Sequence, residues 1–345
     1  MRITAAMTIC SLCIISLECI NAEEQQREPL IINKPFRIFN TGHKKSVLGI
    51  AFSPNGKLLA SASDVAQLRD LSTGKVLMTI VGSDVGYFDV KFAPDGKTLA
   101  LPGFYGNIQI WNVKTNKIHA LLKGHDGRVF SVDYNSNGKF LASGGGPNGM
   151  PGQMKVWKLA TGNEVTDLDK EHPAFVNSVA FSPNGKILAS ASRNLVRFWN
   201  VETGVLMKTF QLKETNKKLH IFALAFSPDG KLLAAGGSNT EIYVWDLKTG
   251  SLKYRLSGHA DNITSLAFAP DGKSLASAGS YDHTARIWNL ISGKLVVTFK
   301  TLKEDVDCVA FSPDGKLLAA GGGGAAIGDP GIVFLWKVPS SAVTN

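Results

Sequence analysis

One thirteen-residue pattern recurs seven times in this 345-residue chain and constrains its fold more than any other feature. Its clearest copy is AFSPDGKLLAAGG at residues 225–237, in which two short apolar runs flank a turn at residues 227–230. In such a turn proline presets φ, aspartate hydrogen-bonds the nearby backbone and glycine tolerates positive φ. Each apolar run is too short for a helix, so the pattern predicts a β-hairpin.

The seven hairpins are regularly spaced. Each has an aromatic residue at the end of its first run, here called the anchor aromatic: Phe52, Phe92, Tyr134, Phe181, Phe226, Phe268 and Phe311. Successive anchors lie 40 to 47 residues apart. The second to seventh repeats continue with a third run that ends in tryptophan, and the first six repeats have a fourth run after a turn. This period indicates one four-stranded sheet per repeat. We therefore predict an all-β fold, a seven-bladed β-propeller of four-stranded antiparallel blades.

The two ends of the repeat region complement each other. Residues 35–40 resemble the last strand of a repeat but have no hairpin, whereas the seventh repeat ends near Trp336 and lacks a last strand. We predict that the N-terminal strand completes the last blade, which closes the ring without a long open edge. The predicted propeller covers residues 35–339, between a polar lead at 23–34 and a tail at 340–345.

Residues 1–22 have the features of a secretory signal peptide. Arg2 gives a basic start, a mostly apolar run follows, and Ala22 is a small residue suited to cleavage. We predict an exported protein, periplasmic or extracellular, and the alternative is an uncleaved membrane anchor. Removal of this segment would leave Cys308 as the only cysteine, so the mature chain could form no internal disulfide.

Two further motifs recur at fixed positions. Four repeats have a histidine nine residues before the anchor aromatic, and in three of them glycine precedes it: Gly42-His43, Gly124-His125 and Gly258-His259. Several of the tryptophans precede Asp or Asn, as in Trp245 and Asp246. In these motifs the chain resembles the WD-repeat (β-transducin-like) propeller family. The resemblance implies a hydrogen-bonded network of histidine, strand hydroxyl, turn aspartate and tryptophan inside a blade. The residues assigned to this structural network are His43, His125, His172, His259, Ser277, Asp282 and Trp288. A Ser-His-Asp hydrolase triad is disfavoured, since the pattern recurs in several blades.

We predict that the function depends on the positions at which the chain departs from the repeat. They are Arg69 in place of a tryptophan, three missing histidines, and long glycine-rich loops at residues 144–152 and 321–331. In the resembled family such loops lie on the face that holds the Gly-His loops, beside the channel mouth. They are either tolerated insertions or a binding lip. The candidate binding residues are Asn148, Met150, Tyr105, Arg193, Tyr281, Ile327 and Asp329.

Charge and motif content bear on the function class. The sequence has no cluster with metal-ligand spacing and no nucleotide-binding loop, so we predict no metal, no cofactor and no catalytic residue. The net charge of +9 is spread over turns, and four of the seven hairpin turns pair lysine with aspartate, which disfavours nucleic acid. We predict a monomeric, non-catalytic scaffold that binds a protein or peptide on the face with the Gly-His and long glycine-rich loops, with no membrane contact unless the N-terminal segment is an anchor. The alternatives are a ligand-binding or enzymatic propeller with a site at the channel mouth, and a basic protein that holds an anionic surface.

Overall fold

The computed structural model describes residues 28–82, 86–148, 151–168, 172–212, 219–301, 303–323 and 329–340. Ile31–Asn345 is one compact unit, and Met1–Leu30 is a second unit of which only residues 28–30 are described. The predicted signal segment, residues 1–22, therefore lies outside the described residues. In the part of the chain that is described, no helix has the length and apolar character needed to cross a membrane.

The regular elements of the described residues are β-strands arranged in seven antiparallel sheets. The chain begins with β1 (Leu30–Ile32) and β2 (Arg37–His43). Blades 1 to 3 then consist of β3 (Gly49–Phe52), β4 (Leu58–Ala62), β5 (Ala66–Asp70) and β6 (Val76–Ile80); β7 (Lys91–Phe92), β8 (Thr98–Pro102), β9 (Asn107–Asn112) and β10 (Lys117–Lys123); and β11 (Arg128–Tyr134), β12 (Phe140–Gly146), β13 (Gln153–Lys158) and β14 (Asn163–Asp167).

Blades 4 to 6 repeat this order of strands. They consist of β15 (Ser178–Phe181), β16 (Ile187–Ser192), β17 (Leu195–Asn200) and β18 (Leu206–Gln211); β19 (Ile221–Phe226), β20 (Leu232–Gly237), β21 (Glu241–Asp246) and β22 (Leu252–Ser257); and β23 (Ile263–Phe268), β24 (Ser274–Gly279), β25 (Thr284–Asn289) and β26 (Lys294–Lys300). The prediction of a seven-bladed propeller is confirmed.

Blade 7 is built from both ends of the repeat region. It contains β27 (Cys308–Phe311), β28 (Leu317–Gly323) and β29 (Gly331–Lys337), with β2 as its outer strand. β2 pairs antiparallel with β29, with Arg37 opposite Leu335 and His43 opposite Gly331. The N-terminal strand therefore completes the last blade, as predicted. The repeat pattern does not predict β1, which is the outermost strand of the five-stranded sheet of blade 6.

The repeated turn is a hydrogen-bonded unit whose chemistry explains its sequence. Ser227 Oγ donates to Asp229 Oδ1 (2.7 Å), and the same oxygen accepts the backbone N–H of Lys231 (3.0 Å). The backbone N–H of Leu232 donates to Ser227 Oγ (2.9 Å), and Gly230 has a φ of 69°. Serine, aspartate and glycine each have a structural role in this turn. The motif that dominates the sequence therefore serves the fold.

Apolar packing lies mainly between neighbouring blades. The described residues form seven hydrophobic clusters, one at each boundary between adjacent blades. At the boundary of blades 7 and 1, Phe39 and Leu335 pack with Val47 and Phe52. Burial of such a side chain contributes about 1.5–3 kcal/mol. Because a cluster of this kind also joins blade 7 to blade 1, the ring is closed by packing as well as by strand pairing.

The inner strand of each blade lines a central channel and connects two different faces. It begins beside the end of the second strand, as the pairing of Arg128 with Gly146 in blade 3 shows, and it ends at the hairpin turn. The loops that hold His125, His172 and His259, and the end of β2 at His43, therefore share one face with the loops between second and third strands. We call this the Gly-His face. The hairpin turns, with their seven exposed lysines, lie on the opposite face.

Candidate functional site

Blade 6 contains a buried hydrogen-bonded chain of four side chains. His259 Nδ1 lies 2.6 Å from Asp282 Oδ2, and His259 Nε2 lies 2.7 Å from Ser277 Oγ. Trp288 Nε1 donates to the same Ser277 oxygen at 2.8 Å. With the Nδ1 proton donated to Asp282, the other ring nitrogen accepts the serine hydroxyl proton. Each polar group of these four side chains therefore has a hydrogen-bond partner, as buried polar groups require.

This arrangement has the residue types of a hydrolase triad but lacks access for a substrate. Ser277 is 0% exposed, and its oxygen already accepts the indole proton of Trp288. Burial also lowers the pKa of His259, despite the carboxylate beside it. A nucleophile must meet its substrate, so these contacts favour a structural role for Ser277 and His259.

Blades 3 and 4 contain the same contacts without an aspartate. A histidine Nε2 lies 2.7 or 2.9 Å from a serine Oγ, and the tryptophan donates to that oxygen at 2.8 or 2.9 Å; the residues are His125, Ser143 and Trp157 in blade 3 and His172, Ser190 and Trp199 in blade 4. Burial lowers the pKa of both histidines to about 3. Both rings therefore stay neutral at physiological pH.

Blade 1 keeps the histidine and serine but has Arg69 where other blades have tryptophan. His43 Nε2 lies 2.9 Å from Ser61 Oγ, as in the other histidine blades. Arg69 Nη1 donates to the backbone oxygen of Gly74 (2.7 Å), and its guanidinium lies over the Phe39 ring at 5.0 Å. Arg69 thus stacks on the strand that closes the ring, which gives this departure a structural explanation.

The blades without this histidine lack the serine as well. The histidine positions themselves lie outside the described residues, but the serine position is occupied by Leu101, Ala235 and Ala320. In blade 7, Trp336 packs against Phe299 and Phe334 with ring centroids 5.2 and 5.5 Å apart. Its Nε1 has no hydrogen-bond partner among the described residues. A buried donor left without a partner costs about 1–3 kcal/mol. In blade 7, packing therefore holds the tryptophan without the hydrogen bond that Trp157, Trp199 and Trp288 make.

The residue four positions before each anchor aromatic lies at the channel. These seven residues, here called the mouth ring, all line a cavity of about 620 Å³: Leu48, Phe88, Phe130, Asn177, Phe222, Thr264 and Asp307. In β11, β19 and β23 the strand register shifts at this residue, which is the signature of a β-bulge. A bulge re-aims a side chain out of the ladder. Sequence reasoning missed this ring, although a comparison of the seven repeats at that position reveals that it varies between them.

A continuous run of four phenylalanines extends from the mouth ring across blades 2 to 4. Phe104 stacks on Phe88 with centroids 4.1 Å apart, Phe88 lies 4.9 Å from Phe130, and Phe130 lies 5.4 Å from Phe175. We call these residues the phenylalanine run. All four are half-buried, and none belongs to the seven clusters between blades. The run is therefore apolar surface that the blade cores do not use.

A pocket of about 350 Å³ lies beside this run, between blades 2 and 3. Its lining includes Phe104, Tyr105, Arg128 and Asn148, together with His125, Asp126, Gly127 and Pro147. Two glycines allow its walls to approach each other. A β-carbon on Gly106 would overlap the backbone oxygen of His125, and one on Gly145 would overlap that of Arg128. We call this cavity the blade 2–3 pocket.

The pocket brings together two of the predicted binding residues. Tyr105 is 61% exposed and Asn148 is also exposed, and both line the blade 2–3 pocket. Arg193 is exposed in a tight turn with a φ of 52°, Tyr281 is 60% exposed in blade 6, and Asp329 is half-buried before β29. These three do not line the pocket. Met150 and Ile327 lie outside the described residues.

Carboxylates in the channel wall join neighbouring inner strands. Asp89 Oδ2 accepts the backbone N–H of Val132 (3.3 Å), and Asp133 Oδ2 accepts that of Phe181 (2.7 Å). Burial raises the pKa of Asp133 to about 6, against the opposing effect of nearby Lys91. Each of these acids thus links its blade to the inner strand of the next blade. In the part of the chain that is described, no group of three His, Cys, Asp or Glu side chains is arranged to hold a metal ion.

Comparison with known proteins identifies the repeats. The model of the WD domain, G-beta repeat, matches residues 33–64, 116–158, 162–200, 250–289 and 293–337, together more than half of the chain. The model of the anaphase-promoting complex subunit 4 WD40 domain matches residues 206–266.

Curated relatives match parts of the chain. The transcriptional corepressor LEUNIG_HOMOLOG of Arabidopsis thaliana is 31% identical over 36% of this chain and 15% of its own length. WD repeat-containing protein SL1-17 of Schistosoma mansoni is 33% identical over 35% of this chain and 40% of its own length. Apoptotic protease-activating factor 1 of Rattus norvegicus is 26% identical over 57% of this chain and 16% of its own length. The chain thus spans well under half of the length of each of these relatives.

Proposed function

The chain belongs to the WD-repeat family, and we propose that it is a non-catalytic scaffold that binds a protein or peptide segment on its Gly-His face. The observation that carries this proposal is the phenylalanine run. Four phenylalanine rings in mutual contact lie half-buried at the channel mouth, one pair stacked and two pairs edge-to-face, outside the clusters that hold the blades together. A folded protein has no structural need for such a surface, and aromatic side chains are enriched at protein interfaces.

The arrangement of the face supports the same function. The rings come from three blades, with Phe104 and Phe175 on loops and Phe130 on β11. The closed ring of blades fixes the loops relative to one another, so little ordering is required on binding. The mouth ring adds polar side chains, among them Asn177 in blade 4 beside the run and Asp307 in blade 7. This combination of apolar centre and polar surroundings is typical of a binding surface.

A peptide-display selection on the immobilised protein tests the proposal. Random extended peptides would be selected, and the enriched ones would be titrated against the wild type, Phe104→Ala and Phe175→Ala. We expect each substitution to weaken binding by about tenfold or more, since truncation of an aromatic hot spot costs about 2 kcal/mol or more. Ile118→Ala is the matched control, because Ile118 is a half-exposed apolar residue on an outer strand. No enriched peptide, or equal binding by all four proteins, would overturn the proposal.

A further inference from the structure

We propose that Arg128 in the blade 2–3 pocket recognises a carboxylate side chain, aspartate or glutamate, of the bound segment, next to an apolar residue that covers the phenylalanine run. This inference rests on the proposed function and specifies the chemistry of the partner. Three features of the pocket carry it: the stacking of Arg128, the absence of a competing acid at its guanidinium, and the charge of the surrounding side chains.

Arg128 is held in an orientation suited to an acidic partner. It is exposed at the start of β11, and its guanidinium carbon lies 5.4 Å from the centroid of the Phe104 ring. A guanidinium that stacks on an aromatic ring keeps its N–H groups at the edge of the plane. Those groups can then bind both oxygens of one carboxylate. The stacking also restricts the side chain before binding, which lowers the entropic cost of the contact.

No carboxylate of the described residues forms an ion pair with Arg128. The neighbouring acid, Asp126, is held by Gln153 instead. Gln153 Nε2 donates to Asp126 Oδ2 (2.6 Å), and the backbone N–H of Asp126 donates to Gln153 Oε1 (2.8 Å). By contrast, Lys155 in the same blade is paired with Glu164 at 3.1 Å. Arg128 is therefore a positioned cation that remains available to a partner.

The pocket offers one cation to the negative charge of a partner. Arg128 is the only cationic side chain among the lining residues that the structure describes, and Asp126 also lines the pocket. His125 adds no charge at neutral pH, because burial lowers its pKa to about 3. A dianion such as a phosphate would meet one cation and one acid. A carboxylate matches the available donors better.

Phe104 connects the two halves of the proposed contact. Its ring stacks on Phe88 at 4.1 Å and lies under Arg128 at 5.4 Å. A carboxylate at Arg128 is therefore adjacent to whatever apolar group covers the run. Tyr105 and Asn148 border the same pocket and offer a hydroxyl and an amide to the backbone of the segment. The expected partner is an extended segment with an apolar residue beside an acidic one.

The test compares three versions of an enriched display peptide, with glutamate, glutamine or phosphoserine at its acidic position. Dissociation constants would be measured by fluorescence polarisation for the wild type, Arg128→Gln, Arg128→Lys and Lys139→Gln. We expect the wild type to prefer glutamate over glutamine by about tenfold, and Arg128→Gln to lose that preference. Arg128→Lys keeps the charge without the planar group and should retain part of the preference. Lys139→Gln makes the same charge change at an exposed lysine on the opposite face and should bind as the wild type does.

Several results would overturn the inference. These are enriched peptides without an acidic residue, an undiminished preference for glutamate in Arg128→Gln, or tighter binding of the phosphoserine peptide than of the glutamate peptide. In each case, weaker binding by Phe104→Ala and Phe175→Ala would still support the proposed function. If no peptide is enriched at all, both proposals fail.

Discussion

At the scale of single residues, the blades fill the same internal space in two ways. In blade 6 the indole of Trp288 donates to Ser277, which also contacts His259. In blade 7 alanine replaces the serine, and Trp336 packs against Phe299, Phe334 and aliphatic neighbours without a hydrogen bond to its Nε1 among the described residues. The position of each tryptophan can be predicted from the repeat. Whether its indole N–H finds a serine partner depends on the serine and histidine positions, because each blade has either both residues or neither.

Substitution of the two tryptophans separates hydrogen bonding from packing. We expect Trp288→Phe to lower the free energy of unfolding by about 1 kcal/mol more than Trp336→Phe does, because only Trp288 loses a buried hydrogen bond. Both changes remove the same volume, so the difference isolates the polar contact. Urea denaturation followed by fluorescence or circular dichroism measures it. Equal losses would show that the network adds no stability.

The buried histidines give the fold a defined response to acid. Burial lowers the pKa of His125 to about 3 from its ordinary value of 6.5. Below pH 6.5 the unfolded chain takes up a proton at this residue and the folded chain does not. Stability therefore decreases by about 1.4 kcal/mol per pH unit, until the pH reaches the pKa of the folded state. Above pH 6.5 this residue adds no pH dependence.

Comparison of His125→Gln with the wild type tests this response. Between pH 7.5 and pH 5 the wild type should lose about 2 kcal/mol more stability than the variant. The comparison with a variant is required because buried acids change stability with pH in the opposite direction. The pKa of Asp133 is raised to about 6, so its protonation below that pH favours the folded state. The exposed His119 supplies the control, since His119→Gln should follow the wild type. Parallel pH curves for His125→Gln and the wild type would contradict the account.

At the scale of strands and loops, sequence reasoning succeeds where the signal is local and repeated. Turn chemistry predicts the hairpins, and the missing strand of the seventh repeat predicts the pairing of β2 with β29. The phenylalanine run could not be predicted in this way. Phe104 and Phe175 are far apart in sequence, and their proximity depends on which blades adjoin and on the bulge at Phe130. The strand β1 was also unpredictable, because three residues carry no periodic pattern.

N-terminal truncation tests the closure of the ring. A chain that starts at Asn33 lacks β1, and a chain that starts at Thr41 also lacks most of β2, including the buried Phe39. We expect the first to melt within a few degrees of a chain that starts at Glu23. The second should melt at a temperature lower by roughly 10 °C or more, because it loses a strand of blade 7 and part of one cluster between blades. Similar melting of all three chains would contradict closure by β2.

The reactivity of Cys308 provides a chemical test of ring closure by β2. It is buried at the boundary of blades 7 and 1, where Sγ donates to the backbone oxygen of Val47 (3.3 Å), and burial raises the pKa of its thiol. In a chain that starts at Glu23 it is the only cysteine. We expect slow alkylation by iodoacetamide in that chain and much faster alkylation in the chain that starts at Thr41. Equal rates would show that β2 does not protect the boundary.

At the largest scale, the unit that begins at Ile31 forms a ring of blades whose seven boundaries are similar and whose two faces differ. The hairpin face carries the repeated lysines, whereas the Gly-His face carries the residues that vary between repeats. The function proposed for the chain therefore depends on side chains that the repeat does not specify. The fold follows from what the repeats share, and the candidate site from a few positions at which they differ.

Export remains a prediction about the whole chain. If residues 1–22 are a cleaved signal peptide, the mature protein begins near Glu23. Intact mass spectrometry of the protein purified from its native host measures this directly. A mass that includes residues 1–22 would contradict cleavage and favour the membrane-anchor alternative.

Hydrogen–deuterium exchange with and without an enriched peptide tests whether a segment binds across the phenylalanine run on the Gly-His face. We expect slower exchange in residues 86–106, 124–130 and 172–177, and unchanged exchange in the hairpin turns of the opposite face. Protection confined to the hairpin turns, or no protection in residues 86–106 and 124–130 at saturating peptide, would contradict binding across the run.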